Sequence, residues 1–128
     1  MIEHPKLIEL RLVDNCDYQV ALYQEDGLLK GLSVSKGGLV PFGTFSIHIA
    51  QESQEGFWIK DWSENEEVVQ QLLDSRLLEF TGEEWMYQHC SVKKAIPTQQ
   101  LREILCSQED LDEISEMARM QRATTIRI

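Results

Sequence analysis

The chain has 128 residues, an ordinary apolar fraction of 42% and a formal net charge of -10. This describes one folded domain with a core of its own, and it excludes a reader of phosphate backbones or an anionic-membrane binder, both of which need a basic face. Three cysteines, Cys16, Cys90 and Cys106, are too few and too far apart for a disulfide framework. With no apolar run near membrane-span length and no secretion-type start, they make a cytoplasmic protein the expectation.

From Leu7 to Asp14, Ile8, Leu10 and Leu12 alternate with Glu9, Arg11 and Val13, the period of a strand with one buried face. Asn15, Cys16 and Asp17 supply turn chemistry, after which Tyr18, Val20 and Leu22 alternate with Gln19, Ala21 and Tyr23 in a second strand. The next reversal has two registers. A two-residue turn of Asp26 and Gly27 sets Val20 across from Ser33 and Leu22 across from Gly31, mixing polar and apolar groups. A three-residue loop, Glu25 to Gly27, pairs Val20 with Leu32 and Tyr18 with Val34 and gathers the apolar groups, so the bulged loop is expected. The run KGGLVPFG, Lys36 to Gly43, holds three glycines and a proline and is expected to break the ladder. Phe45, Ile47 and Ile49 then resume it in a strand from about Thr44 to Ala50, and the polar run Gln51 to Gly56 reads as a loop.

Phe57 to Gly82 is the stretch around which the chain is organised. Phe57, Ile59 and Asp61 alternate with Trp58, Lys60 and Trp62, which puts aromatic surface on both faces and predicts a covered strand rather than an open edge. Ser63 and Glu66 have capping-box spacing, so the central helix is expected to start at Ser63. Val68, Val69, Leu72, Leu73 and Leu77 form its packing stripe, opposite Glu66, Glu67, Gln70, Gln71 and Asp74. Beyond it, Leu77 to Phe80 and Trp85 to Val92 flank Thr81 to Glu84, a hairpin with a four- or five-residue loop, with continuation of the helix as the alternative. Thr98 caps a short helix through Leu105, and Ser107 with Asp110 opens a last helix striped by Leu111, Ile114, Met117 and Ala118. Its acidic start, Glu109, Asp110 and Asp112, and basic end, Arg119 and Arg122, complement the peptide dipoles. Thr124 to Ile128 are β-prone and terminal, either frayed or an edge strand that would give a route to a homo-oligomer. The expected architecture is a single α+β domain over residues 1–128: an antiparallel sheet of about five to seven strands, one central amphipathic helix and two C-terminal helices.

No spacing reaches a catalytic, cofactor or metal signature. His48, His89, Cys90 and Cys106 lack any CxxC or HxxxH pair, and Lys36, Gly37 and Gly38 lack the following lysine and helix of a phosphate loop. Glu79, Glu83 and Glu84 read as a solvated turn sooner than an acid and base pair. The global feature is charge: between Asp61 and Glu84 eight carboxylates face Arg76 alone. Interleaved tryptophans offer interface anchors if exposed. The expected function is therefore a small acidic protein-binding module, of inhibitor, adaptor or complex-subunit type. It would meet a protein partner of basic character through Trp62, Glu66, Glu67, Asp74, Glu83, Glu84 and Trp85, with no cofactor and no direct contact with nucleic acid or membrane. The alternative is a small enzyme whose pocket gathers His48, His89 and Cys90.

Overall fold

The computed structural model describes residues 2–12, 14–47, 56–59, 65–87 and 90–126, with the backbone alone at 87, 90 and 121–126. Within these residues lie the strands β1 (Leu7–Arg11), β2 (Asp17–Glu25), β3 (Leu28–Ser35), β4 (Gly38–Thr44), β5 (Ser46–Ile47), β6 (Phe57–Ile59), β7 (Leu78–Tyr87) and β8 (Cys90–Pro97). The helices are α1 (Glu66–Asp74), α2 (Gln99–Ile104) and α3 (Gln108–Ile126). The α+β class with antiparallel pairing holds, but the expected single sheet is replaced by two four-stranded sheets, β1-β2-β3-β4 and β5-β6-β8-β7.

The split follows from β2, whose consecutive residues Val20, Ala21 and Leu22 are all fully buried. A strand apolar on both faces needs cover on both. Val20 and Leu22 pack with Phe57, Ile59, Leu78 and Ala95 of the second sheet and with Val68, Val69 and Leu72 of α1. Ala21, on the opposite face, packs with Cys106 and with Leu111 and Ile114 of α3. Burying a side chain such as Leu22 or Ile114 contributes about 1.5–3 kcal/mol, so each cover is anchored by several such terms.

The β2–β3 turn corrects the expected three-residue loop. Val20 pairs with Ser33, Leu22 with Gly31 and Glu25 with Leu28. Asp26 and Gly27 form the two-residue turn, both at positive φ, 53° and 78°, the type I′ geometry that matches strand twist. The polar and apolar mixing that argued against this register is resolved by Phe45. Gly31 faces Gly43 across β3 and β4, and the buried Phe45 ring lies over both. A Cβ on Gly31 would stand 3.1 Å from its Cε2, and one on Gly43 2.9 Å from its Cε1.

The glycine and proline run forms β4 instead of breaking the ladder. Pro41 is accommodated because β4 is the last strand of its sheet. Leu32 pairs with Pro41 and Gly31 with Gly43, which leaves Phe42 as the extra residue of a bulge. The chain then crosses between sheets at Phe45: its N–H donates to the Leu29 carbonyl at 2.9 Å, while Ser46 Oγ accepts from Leu29 N–H at 2.9 Å. The strand expected to reach Ala50 is seen only as β5, its remainder and the loop at 51–55 lying outside the described residues.

β6 sits between β5 and β8 with all three residues buried, the covered position that its aromatics predicted. The Ser63 cap lies outside the described residues; α1 follows Asn65, whose side chain makes no capping bond but donates to the Thr44 carbonyl at 3.1 Å. At the other end of α1, Leu77 N–H reaches the Leu72 carbonyl and Arg76 N–H the Leu73 carbonyl, a Schellman closure with Arg76 at φ 60° where glycine is usual.

A further correction concerns β7. Thr81 to Glu84 are not a hairpin loop but part of one ten-residue strand. Phe80 pairs with Ala95 and Glu84 with Lys93, so the two surplus residues are taken up as a bulge around Gly82, φ 92°. Tyr87 pairs with Cys90, and 88–89 lie outside the described residues. The Thr98 cap is present, its Oγ1 accepting from Leu101 N–H at 3.3 Å. At Ser107 the bonds are reciprocal: Ser107 Oγ accepts from Asp110 N–H at 3.2 Å and Asp110 Oδ2 from Ser107 N–H at 2.9 Å. α3 continues through Ile126, so 124–126 are helical and form no edge strand.

Replacing Phe45 with Ala should lower stability by about 3–5 kcal/mol in urea denaturation, because the ring fills a fixed recess over two glycines. Arg76→Gly should raise it by up to about 1 kcal/mol through relief at the left-handed position.

Candidate functional site

β7 is the terminal strand of the second sheet, and residues 79–86 are each exposed. Alternation along it sets two faces. Leu78 and Phe80, opposite Pro97 and Ala95, turn toward the core side, and Glu84 and Met86 follow the same phase. Trp85, opposite Val92, lies on the outer face, which β6 continues with Trp58 opposite Lys94. The sheet extends past its cover, leaving Phe80 37%, Trp85 41% and Met86 66% exposed, whereas Trp58 is buried. Three large apolar side chains on an uncovered sheet edge are a departure from the scattered single residues of an ordinary surface.

The carboxylates around these rings are partly balanced. Lys94 Nζ, itself buried, lies 3.6 Å from Glu83 Oε2 and 5.9 Å from the Trp58 ring centroid. Lys93 stands opposite Glu84 in register and places its ammonium 5.5 Å from the Phe80 ring. Thr81 fixes the bulge: its Oγ1 accepts from Glu83 N–H at 3.1 Å and donates to the Lys94 carbonyl at 3.4 Å. Counting charges along the chain missed this balance, because both lysines arrive from the neighbouring strand.

The seven residues expected to form one surface fall into separate groups. Glu66 and Glu67 occupy the first turn of α1 and line an open cleft of about 610 Å³ with Arg11, Leu12, Asn15, Gln70 and Gln71. Asp74, at the far end of α1, accepts from Gln70 Nε2 at 2.9 Å. Glu83, Glu84 and Trp85 belong to β7, where Glu84 lies six residues beyond Leu78, roughly 20 Å at strand rise. Trp62 lies outside the described residues. Phe80 and Met86 were not singled out by sequence, since they alternate like ordinary buried strand residues. Gly82 and three glutamates within the same strand were the available sign that its surroundings are solvent.

Of the residues proposed for an enzyme pocket, His48 and His89 lie outside the described residues and Cys90 is described by its backbone alone. Cys106 is buried, and burial pushes its thiol up to about 11 with Asp110 adding to the effect. It is therefore a thiol rather than a thiolate at neutral pH and a poor nucleophile.

His4, Asp110 and Glu113 bring one ligand atom each within 4.8 Å of one another, the arrangement of a potential cation site. Two contacts oppose that use. Lys6 Nζ lies 2.6 Å from Asp110 Oδ2, placing an ammonium where a cation would sit. Lys6 N–H donates to His4 Nδ1 at 3.2 Å, which puts the proton of the neutral ring on Nε2, facing Glu113 Oε1 at 3.5 Å. The cluster instead straps the N-terminal segment to the first turn of α3. Bonds from Lys6 and from the Ser107 backbone hold the Asp110 carboxyl down at about 2.

No model of a known protein family matches the chain, and neither does any curated protein or solved structure.

A carboxylate depressed in the folded state contributes stability that is fully present above its ordinary value of 3.8 and is lost as pH falls toward about 2. Acid unfolding followed by circular dichroism should therefore be shallower between pH 4 and 2 in Asp110→Asn than in the parent, with the variant already less stable at pH 7.

Proposed function

We propose that the chain is a protein-binding module whose contact surface is the exposed edge of β7. Trp85, Met86 and Phe80 act as apolar anchors, and Glu79, Glu83 and Glu84 favour a basic partner. The observation that carries this reading is the run of eight exposed residues on an edge strand with three large apolar side chains among them. Tryptophan and methionine are enriched in interface centres, and a polar rim excludes water around them. The carboxylates also bear on who the partner is. Pairing β7 with β7 of a second copy would bring like charges together across the ladder, whereas a basic strand or loop meets opposite charge. The net charge of -10 and the acidic turn of α1 at Glu66 and Glu67, with Asp74 beyond, raise the rate of encounter with such a partner without touching it.

Capture of partners from the source cell at low and at high salt tests the reading. A protein retained by the parent at low salt should be weakened at high salt and bound about thirtyfold more weakly by Trp85→Ala, the loss typical of an interface centre. Glu83→Gln with Glu84→Gln should flatten the salt dependence. Equal retention by the parent and Trp85→Ala would count against β7 as the contact surface.

A further inference from the structure

The first sheet has an outer backbone edge that is covered only in part. β1 is the first strand of its sheet and pairs only with β2. Its odd-numbered residues turn their amides outward. Arg11 N–H donates to Gln71 Oε1 at 2.9 Å and its carbonyl accepts from Gln71 Nε2 at 2.8 Å, so one glutamine side chain imitates the edge of a neighbouring strand. At the other end of β1, Leu7 N–H donates to the His4 carbonyl at 3.1 Å. Leu12, of even number, sends its N–H to the Cys16 carbonyl on the β2 side. The alternation of an antiparallel ladder therefore directs the Glu9 N–H and carbonyl outward, between two positions already occupied. Neither Glu9 group has a partner among the described residues. Alongside lies a cleft of about 430 Å³ whose apolar wall is Leu10, Leu72, Leu77 and Ile104 and whose charged residues are both acidic, Glu9 and Glu103.

We infer that this cleft takes a short extended peptide segment of a protein partner. One residue of the segment completes the β1 ladder at Glu9, and a neighbouring lysine or arginine meets Glu103. A donor and an acceptor on one residue of an edge strand are matched together by another peptide unit, which is the basis of recognition by strand addition. The Glu103 carboxylate, with no cation among the lining residues, sets the sign of the side chain. Gln71 sets the length: while its amide occupies Arg11, the site offers one pairing residue, and moving it aside adds a second.

The site is independent of β7, and one titration separates them. Amide resonances of the full chain are followed while acetyl-Val-Arg-Val-amide or its glutamate counterpart, acetyl-Val-Glu-Val-amide, is added. The arginine peptide should shift the Glu9 amide and slow its hydrogen exchange, binding at least tenfold more tightly than the glutamate peptide. Glu103→Gln should weaken it severalfold while the Glu9 shift at saturation persists. Gln71→Ala should tighten a five-residue version about fivefold, the worth of one further hydrogen-bonded pair. The inference is overturned by an unmoved Glu9 amide, by equal binding of the two tripeptides, or by shifts confined to β7, the last of which leaves the proposed contact surface standing.

Discussion

The structure depends on the placement of one ring. Phe45 is the residue at which the chain leaves the first sheet and enters the second, and its side chain lies over the facing glycines Gly31 and Gly43. A ring can lie flat on a sheet only where neighbouring side chains are missing, so these glycines act as a recess rather than as breaks. Once the ring is seated, the β2–β3 register follows, because Leu22 must stand opposite Gly31 for the apolar surface around the ring to close. The crossover to β5 follows as well, held by the backbone and Ser46 bonds to Leu29. Asn65 then ties the start of α1 to Thr44, one residue before the ring. Two sheets, their joint and the helix over them thus share one packing point.

Away from that point, the two sheets meet solvent differently. The first is enclosed by α3 on one face and by the second sheet on the other, and its outer edge at β1 is largely answered by local groups, the Gln71 amide and the His4 carbonyl. The second sheet loses cover along β7. Its protection there is electrostatic and geometric: a bulge pinned by Thr81, carboxylates at Glu79, Glu83 and Glu84, and Lys94 from β8 at 3.6 Å from Glu83. Charges and bulges of this kind discourage indiscriminate edge pairing while leaving aromatic surface available to a complementary partner.

The parts of this fold that sequence made legible are those governed by local chemistry. Thr98 and the Ser107 and Asp110 pair satisfy helix amides within three residues, and the stripes of α1 and α3 repeat at helical spacing, so neighbours in sequence suffice to read them. The alternations of β1, β2 and β6 were legible for the same reason. What was misread turned on partners distant in sequence. Gly31 counts as polar or empty until Phe45 covers it, and Gly43 and Pro41 look like breaks until β4 is known to be an edge. Gly82 looks like a turn until β8 runs past it. The candidate surface suffered likewise: Glu66 and Glu83 seem continuous along the chain, yet a helix and half of a long strand separate them, and Lys94 enters from β8 to answer Glu83.

The bulge in β7 has a consequence for how this strand can vary. It holds two surplus residues, and side chains in a strand repeat every second position, so the phase of the strand is the same on either side of it. Leu78 stays on the core and Trp85 on the outer face. An insertion or deletion of two residues at 81–83 would preserve that assignment and change only the depth of the kink. A change of one residue would exchange Trp85 with its neighbours between faces. Drift in the length of this segment among descendants of the chain should accordingly occur in even steps, a parity rule imposed by the pleat.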